Sequence, residues 1–168
     1  ELLEAWDLGN QKENRGAALA MLTFELTYDI SDFTYDFESI YRRFLDSIDF
    51  LNSNYGRIDI QLGELQVLKR GDFVAPLSGA PDALRAIYTK EDGDKRVSIA
   101  GDCFFQFIDW DESGRVRAKS IHQFGSATQN TKSVHYSDQA RLFADELMKP
   151  SFINLDSIKS YLKLSYTP

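Results

Sequence analysis

The run Cys103–Trp110 (CFFQFIDW) is apolar at nearly every position. A strand that faces water on one side alternates apolar and polar residues, whereas one apolar on both faces is covered on both. This stretch therefore restricts the chain to folds in which two layers enclose it. Arg115–Ile121 follows across Asp111-Glu112-Ser113-Gly114, a polar turn with glycine that predicts a β-hairpin. With the turn at Asp111–Gly114, Trp110 lies opposite Arg115 and Asp109 opposite Val116. Cys103, Phe105, Phe107 and Asp109 then share a face with Val116, Ala118, Ser120 and His122. One covering layer can come from helices of this chain. The other is not obviously supplied, which motivates the expectation that the chain is a piece of a larger sandwich.

Helices are expected first. Glu1–Leu8 ends at Gly9-Asn10, and Gly16–Tyr28 is rich in Ala, Leu and Met. Phe37, Ile40, Tyr41, Phe44, Leu45, Ile48 and Leu51 follow the helical period, with Asp36 as N-cap and Gly56 as stop. Residues 1–56 thus form a helical segment. Residues 57–82, punctuated by Gly63, Gly71, Pro76, Gly79 and Pro81, read as extended with little regular structure. Residues 83–168 read as an antiparallel sheet plus C-terminal helices: strands Ala83–Thr89 and Arg96–Ala100 around Glu91–Asp94, the second hairpin, a helix over His135–Met148 and a short one over Asp156–Leu164. The class is α+β, in a single domain or fragment of 168 residues.

A net charge of −7 argues against general nucleic-acid binding, which needs a basic footprint. No apolar run is long enough to span a bilayer, and no signal peptide is visible. The start at Glu1 rather than Met points to a processed chain or a piece of a longer one. The single Cys103 excludes an internal disulfide and a cysteine zinc site, and alternation places it buried inside a strand. No cofactor or metal ligand set is expected in this chain.

Asp109 is the leading functional candidate. On an apolar face a carboxylate must be paired, hydrogen-bonded or protonated, so it is either an acid orienting a catalytic group or a strand-end turn former. His122 and His135 are the only histidines. They lack metal-ligand spacing, and no strained nucleophile-serine motif accompanies them. Ser133 is placed as an N-cap before His135-Tyr136-Ser137-Asp138-Gln139, a cluster that opens a helix. Gly125 permits positive φ or close backbone approach, or simply punctuates a loop.

Several local motifs occur in a fixed order. They are Ala5-Trp6-Asp7, Arg15-Gly16-Ala17-Ala18-Leu19, Gly63-Glu64-Leu65-Gln66, Lys69-Arg70-Gly71-Asp72 and Pro76-Leu77-Ser78-Gly79-Ala80-Pro81-Asp82. Then come Gly101-Asp102-Cys103, Ile108-Asp109-Trp110, Gln123-Phe124-Gly125-Ser126-Ala127, His135-Tyr136-Ser137-Asp138-Gln139 and Lys149-Pro150. In this order the chain resembles the C-terminal part of the β chain of the penicillin acylase family, the acyl-homoserine lactone and cephalosporin acylase branch in particular. The family consists of N-terminal nucleophile hydrolases. The resemblance implies an αββα sandwich, self-cleavage of a precursor, and amide hydrolysis by an N-terminal serine through an acyl-enzyme. It implies a periplasmic or extracellular location. It implies partners too: the α chain, the N-terminal part of the β chain, and a small amide substrate. It assigns to Asp109, with Asp102 as runner-up, the role of orienting a histidine that lies outside this chain. The serine, that histidine and the oxyanion-hole Asn are expected upstream, so the chain alone is expected to be inactive. Phe124-Gly125-Ser126-Ala127 departs from the Gly-Gln-Ser-Gly that penicillin acylases tend to carry, which puts substrate contacts from this loop in doubt.

Two other classes compete: a stand-alone structural or binding domain without catalysis, and a self-sufficient serine hydrolase using Ser126 and His135.

Overall fold

The computed structural model describes residues 1–24, 36–81 and 83–162. The chain divides into two compact units, Glu1–Asp102 and Cys103–Pro168. Both combine helices with sheets that are mostly antiparallel, so the chain is mixed α+β.

The first unit holds α1 (Ala17–Phe24), α2 (Phe37–Tyr55), α3 (Leu62–Leu65), β1 (Gln66–Arg70), β2 (Phe73–Pro76), β3 (Ile87–Asp92) and β4 (Lys95–Gly101). Helix α2 forms as its period predicts. Asp36 Oδ1 accepts the Glu38 N–H at 3.1 Å, and the helix stops at Gly56, whose N–H donates to Asn52 O at 2.9 Å. Its inner face brings Leu51 onto Ala18, Leu19, Ile60 and Leu65, with Phe44 and Ile48 packed against them. Fully burying a leucine such as Leu51 contributes roughly 1.5–3 kcal/mol. Helix α1 is capped by Asn14, whose Oδ1 accepts Gly16 N–H at 2.9 Å and Ala17 N–H at 3.0 Å. Residues 25–28 of the expected Gly16–Tyr28 helix lie outside the described residues. Glu1–Leu8 is a turn and not a helix. Trp6 Nε1 donates to Gly9 O and Asp7 Oδ1 accepts Gly9 N–H, so side chains supply locally what a short, costly helix would have needed.

Residues 57–81 of the expected extended segment are more regular than their punctuation implies. They contain α3, β1 and β2, and β1 turns into β2 through Gly71-Asp72 (Arg70 faces Phe73). The sheet order is β2-β1-β4-β3, with β1 parallel to β4 and β3 antiparallel to it. Strand β3 begins at Ile87, later than the expected Ala83. Ahead of it, Ala80 N–H donates to Arg85 O (3.3 Å) and Ile87 N–H to Ala80 O (3.0 Å). The hairpin turn narrows to Gly93-Asp94, since Asp92 pairs with Lys95.

Three segments remote in sequence are tied together by hydrogen bonds. Buried Gln66 donates through Nε2 to Leu77 O (3.0 Å) and Gly79 O (2.9 Å). Lys12 N–H donates to Ser78 Oγ (3.1 Å), and Gly79 N–H to Asn10 O (2.8 Å). Leu62 and Gly63 N–H donate to Asn14 O and Lys12 O (2.9 and 2.8 Å). The carbonyls of buried Leu77 and Gly79 and the Gly79 N–H are thereby satisfied.

The second unit holds β5 (Phe104–Trp110), β6 (Val116–His122), α4 (Ala140–Ala144), β7 (Lys149–Ser151) and α5 (Leu155–Tyr161). Its antiparallel sheet runs β5-β6-β7. The β5–β6 hairpin is where the sequence predicts it, but its register differs by one. Asp111 N–H donates to Arg115 O (3.0 Å), so the loop is Glu112–Gly114, and Gly114 takes a positive φ of 78°. That is the three-residue loop with a left-handed third residue. Asp109 therefore faces Arg117, and Trp110 faces Val116.

The expected helix over His135–Met148 shrinks to Ala140–Ala144. Side chains capture the preceding backbone: Asn130 Oδ1 accepts Lys132 N–H (3.2 Å) and Ser133 Oγ accepts His135 N–H (3.1 Å). Such local bonds compete with helix. Ser133 thus closes a turn and caps no helix. Helix α5 is capped by Asn154, which accepts Ser157 N–H at 2.8 Å, while residues 163–164 of its expected span lie outside the described residues.

Candidate functional site

Asp109 projects from β5 beside Arg117 of β6. Arg117 donates to Asp109 Oδ2 from Nη2 (2.5 Å) and Nε (3.0 Å), and the two side chains are 61% (Asp109) and 69% (Arg117) exposed. The expectation of an acid on the apolar face, opposite Val116, is corrected on both points. The one-residue register change carries Asp109, Phe107 and Phe105 to the face of Arg117, Lys119 and Ile121. The carboxylate is solvated, and a cation offsets its charge. Phe107, Asp109, Arg117, Ala118 and Lys119 line an open recess of about 380 Å³. Both Arg117 bonds go to one carboxylate oxygen. Among the described residues Asp109 Oδ1 takes no partner. Arg117 was not singled out from the sequence. A three-residue loop ending at Gly114 was the signal that would have placed it opposite Asp109.

The runner-up, Asp102, lies at the end of β4. Its N–H donates to Ala86 O and its Oδ2 accepts Ala86 N–H, both at 2.8 Å. That carboxylate continues the β3–β4 pairing past the last residue of the strand. Cys103 is exposed, not buried, because it precedes β5 rather than sitting within it.

Asp111 organises the hairpin turn. Its Oδ1 accepts Ser113 Oγ–H (2.6 Å), Ser113 N–H (3.0 Å) and Arg115 N–H (3.0 Å). The Ser113 hydroxyl, followed by the Arg115 amide, holds the Asp111 carboxyl below the usual carboxylate range.

The two histidines are not brought together. His122 lies over Phe104, ring centres 4.8 Å apart. His135 Nδ1 meets Asp138 Oδ2 at 2.8 Å, an acid–imidazole pair on the loop before α4. Gly125 lies against this loop: a Cβ there would collide with the His135 carbonyl and come within 2.5 Å of Asp138 Oδ1. Close approach therefore explains Gly125, whose φ is not positive. Ser126 is exposed, and no hydrogen bond joins it to His135 among the described residues. Such an arrangement orients an imidazole but does not assemble a serine nucleophile with it.

Among the described residues no group of three or more His, Cys, Asp or Glu gathers as a metal site. No helix among them is long and apolar enough to cross a membrane. No protein-family model matches the chain, and no curated protein matches it significantly.

Proposed function

We propose that this polypeptide is the C-terminal portion of a penicillin acylase-type amidohydrolase with the αββα sandwich of N-terminal nucleophile hydrolases. The substrate bond is an amide, in a β-lactam side chain or an acyl-homoserine lactone. The serine that attacks it belongs to a part of the enzyme that these residues do not match, so this chain alone does not turn over. The observation that carries the reading is the exposure of β5 on both faces around an acid. Phe104, Ile108 and Trp110 are exposed on one side and Phe107 on the other, beside Asp109. A seven-residue strand of this composition is built to be covered by further polypeptide.

In this reading Asp109 Oδ1 accepts the Nδ1–H of the histidine beside the serine. Arg117 holds the carboxylate from the other side through Oδ2. The serine hydroxyl adds to the amide carbonyl, the amine departs with a proton, and water releases the acyl group from the ester. Asp109 touches neither substrate nor nucleophile and is a positioning residue. In the complete enzyme, Asp109→Asn lowers kcat with KM little changed and folding intact, and it alters the pH profile governed by the histidine. Unchanged turnover and pH profile remove the role. The class itself is tested by mixing the chain with the remaining acylase polypeptide and following release of a chromogenic amine from an acyl anilide. No hydrolysis by a properly assembled complex sinks it.

One observation favours the second reading, a structural or binding domain. The first unit has its own core of Ala18, Leu19, Leu51, Ile60 and Leu65. A monomeric chain with one cooperative melt and no gain of activity on mixing supports that alternative.

A further inference from the structure

The four sheet edges among the described residues are not treated alike. Strand β2 ends in Pro76, β3 carries Lys90 and a bulge between Tyr88 and Thr89, and β7 is three residues long with Lys149 and Pro150. Shortness, lysine, proline and bulges are the devices that stop an edge from pairing with another strand. Strand β5, the end strand of its sheet among the described residues, has none of them: FFQFIDW holds no Lys or Pro, and its pairing with β6 runs without a register break. With strong strand formers and one charge over seven residues, it has the composition of a self-pairing segment.

Which backbone groups are open follows from the ends of the hairpin. Asp111 N–H donates to Arg115 O, and Gln123 N–H to Cys103 O. The odd-numbered residues of β5 therefore point their backbone groups at β6. By alternation, Phe104, Gln106, Ile108 and Trp110 point theirs outward.

We propose that a second copy of this chain occupies that edge, the two β5 strands pairing antiparallel about a two-fold axis at Phe107. Only this register pairs all four outward residues of each copy: Phe104 with Trp110 and Gln106 with Ile108 of the partner strand. It sets Asp109 opposite Phe105, so the single carboxylate of each strand meets no like charge and keeps Arg117 at its side. Two three-stranded sheets become one of six. The inference uses the edge of β5 and not its faces, and it stands whether or not the chain belongs to an acylase.

The test combines sedimentation with site-directed cross-linking of the whole chain. Wild type is expected to be a dimer at micromolar concentration. Gln106→Pro removes one outward donor and no bond to β6, and Phe107→Lys places two cations face to face. Either is expected to weaken the dimer by about tenfold or more with the circular dichroism spectrum retained. In a Cys103→Ser background, Phe107→Cys is expected to form a disulfide-linked dimer. Its Cα atoms lie about 4.5 Å apart in this register, within disulfide range. Asp109→Cys, about 13 Å from its symmetry mate, cross-links far less. A monomer at every concentration, a dimer indifferent to both edge variants, equal cross-linking at 107 and 109, or association only with a different protein overturns the proposal.

Discussion

Asp102 and Ala86 hold each other twice, backbone to backbone and side chain to backbone, each bond 2.8 Å long. The side-chain bond satisfies an N–H that has left the regular β3–β4 ladder. Asp102→Ala removes that acceptor and is expected to cost about 1–2 kcal/mol, with Asp102→Asn milder because it keeps an acceptor oxygen. Urea denaturation measures both; equal stability of all three proteins contradicts the assigned role.

Gln66→Leu conserves bulk but strands the carbonyls of Leu77 and Gly79, which Gln66 now serves. Two unsatisfied acceptors predict a loss of about 2–4 kcal/mol. Limited proteolysis should then find new cleavage near Ser78, and protection as in wild type counts against the prediction.

Gly125→Ala forces a methyl group onto the His135 carbonyl. It is expected to destabilise by more than about 2 kcal/mol, whereas Ser126→Ala, at the exposed neighbour, stays within about 0.5 kcal/mol. Thermal melts of the two variants decide it.

Asp111 is bound by Ser113 and Arg115, which lower its folded pKa below the unfolded one. Its contribution is then fully present above about pH 4 and is lost as pH falls through the folded value. Asp7, Asp36, Asp59 and Asp92 are shifted the same way, so the acid limb has several sources. The difference between wild type and Asp111→Asn isolates this one. Stability curves at pH 3–7 should converge towards the acid end, and a constant gap refutes the assignment.

The Asp109–Arg117 pair is solvated on both partners. A double-mutant cycle is expected to return a coupling of about 0–1 kcal/mol that shrinks in high salt. A larger, salt-resistant coupling indicates that the pair is covered in solution.

Helix α2 was legible because its period, cap and stop all agree, and the β5–β6 hairpin because a polar Asp-Glu-Ser-Gly turn separates two strands. The position of Asp109 was not. A loop of three residues and one of four look alike in sequence, and the choice between them turns every side chain of a strand over. Strands β1 and β2 were missed because Leu65-Gln66-Val67-Leu68 is a short buried run without alternation, where the Gln66 side chain donates to carbonyls that fold back from residues 77 and 79. The Gly71-Asp72 turn was the available clue. The helix expected from His135 failed because Asn130 and Ser133 bind nearby amides, a competition invisible to periodicity.

The bond from Lys12 to Ser78 spans 66 positions, and those from Asn10 and Gln66 also end at residues 77–79. During synthesis this belt cannot fasten until Gly79 has left the ribosome. Closing so long a loop precedes any reward, which slows the step. Nascent chains that stall earlier will hold α2 beside an unfinished core and should be preferred clients of chaperones.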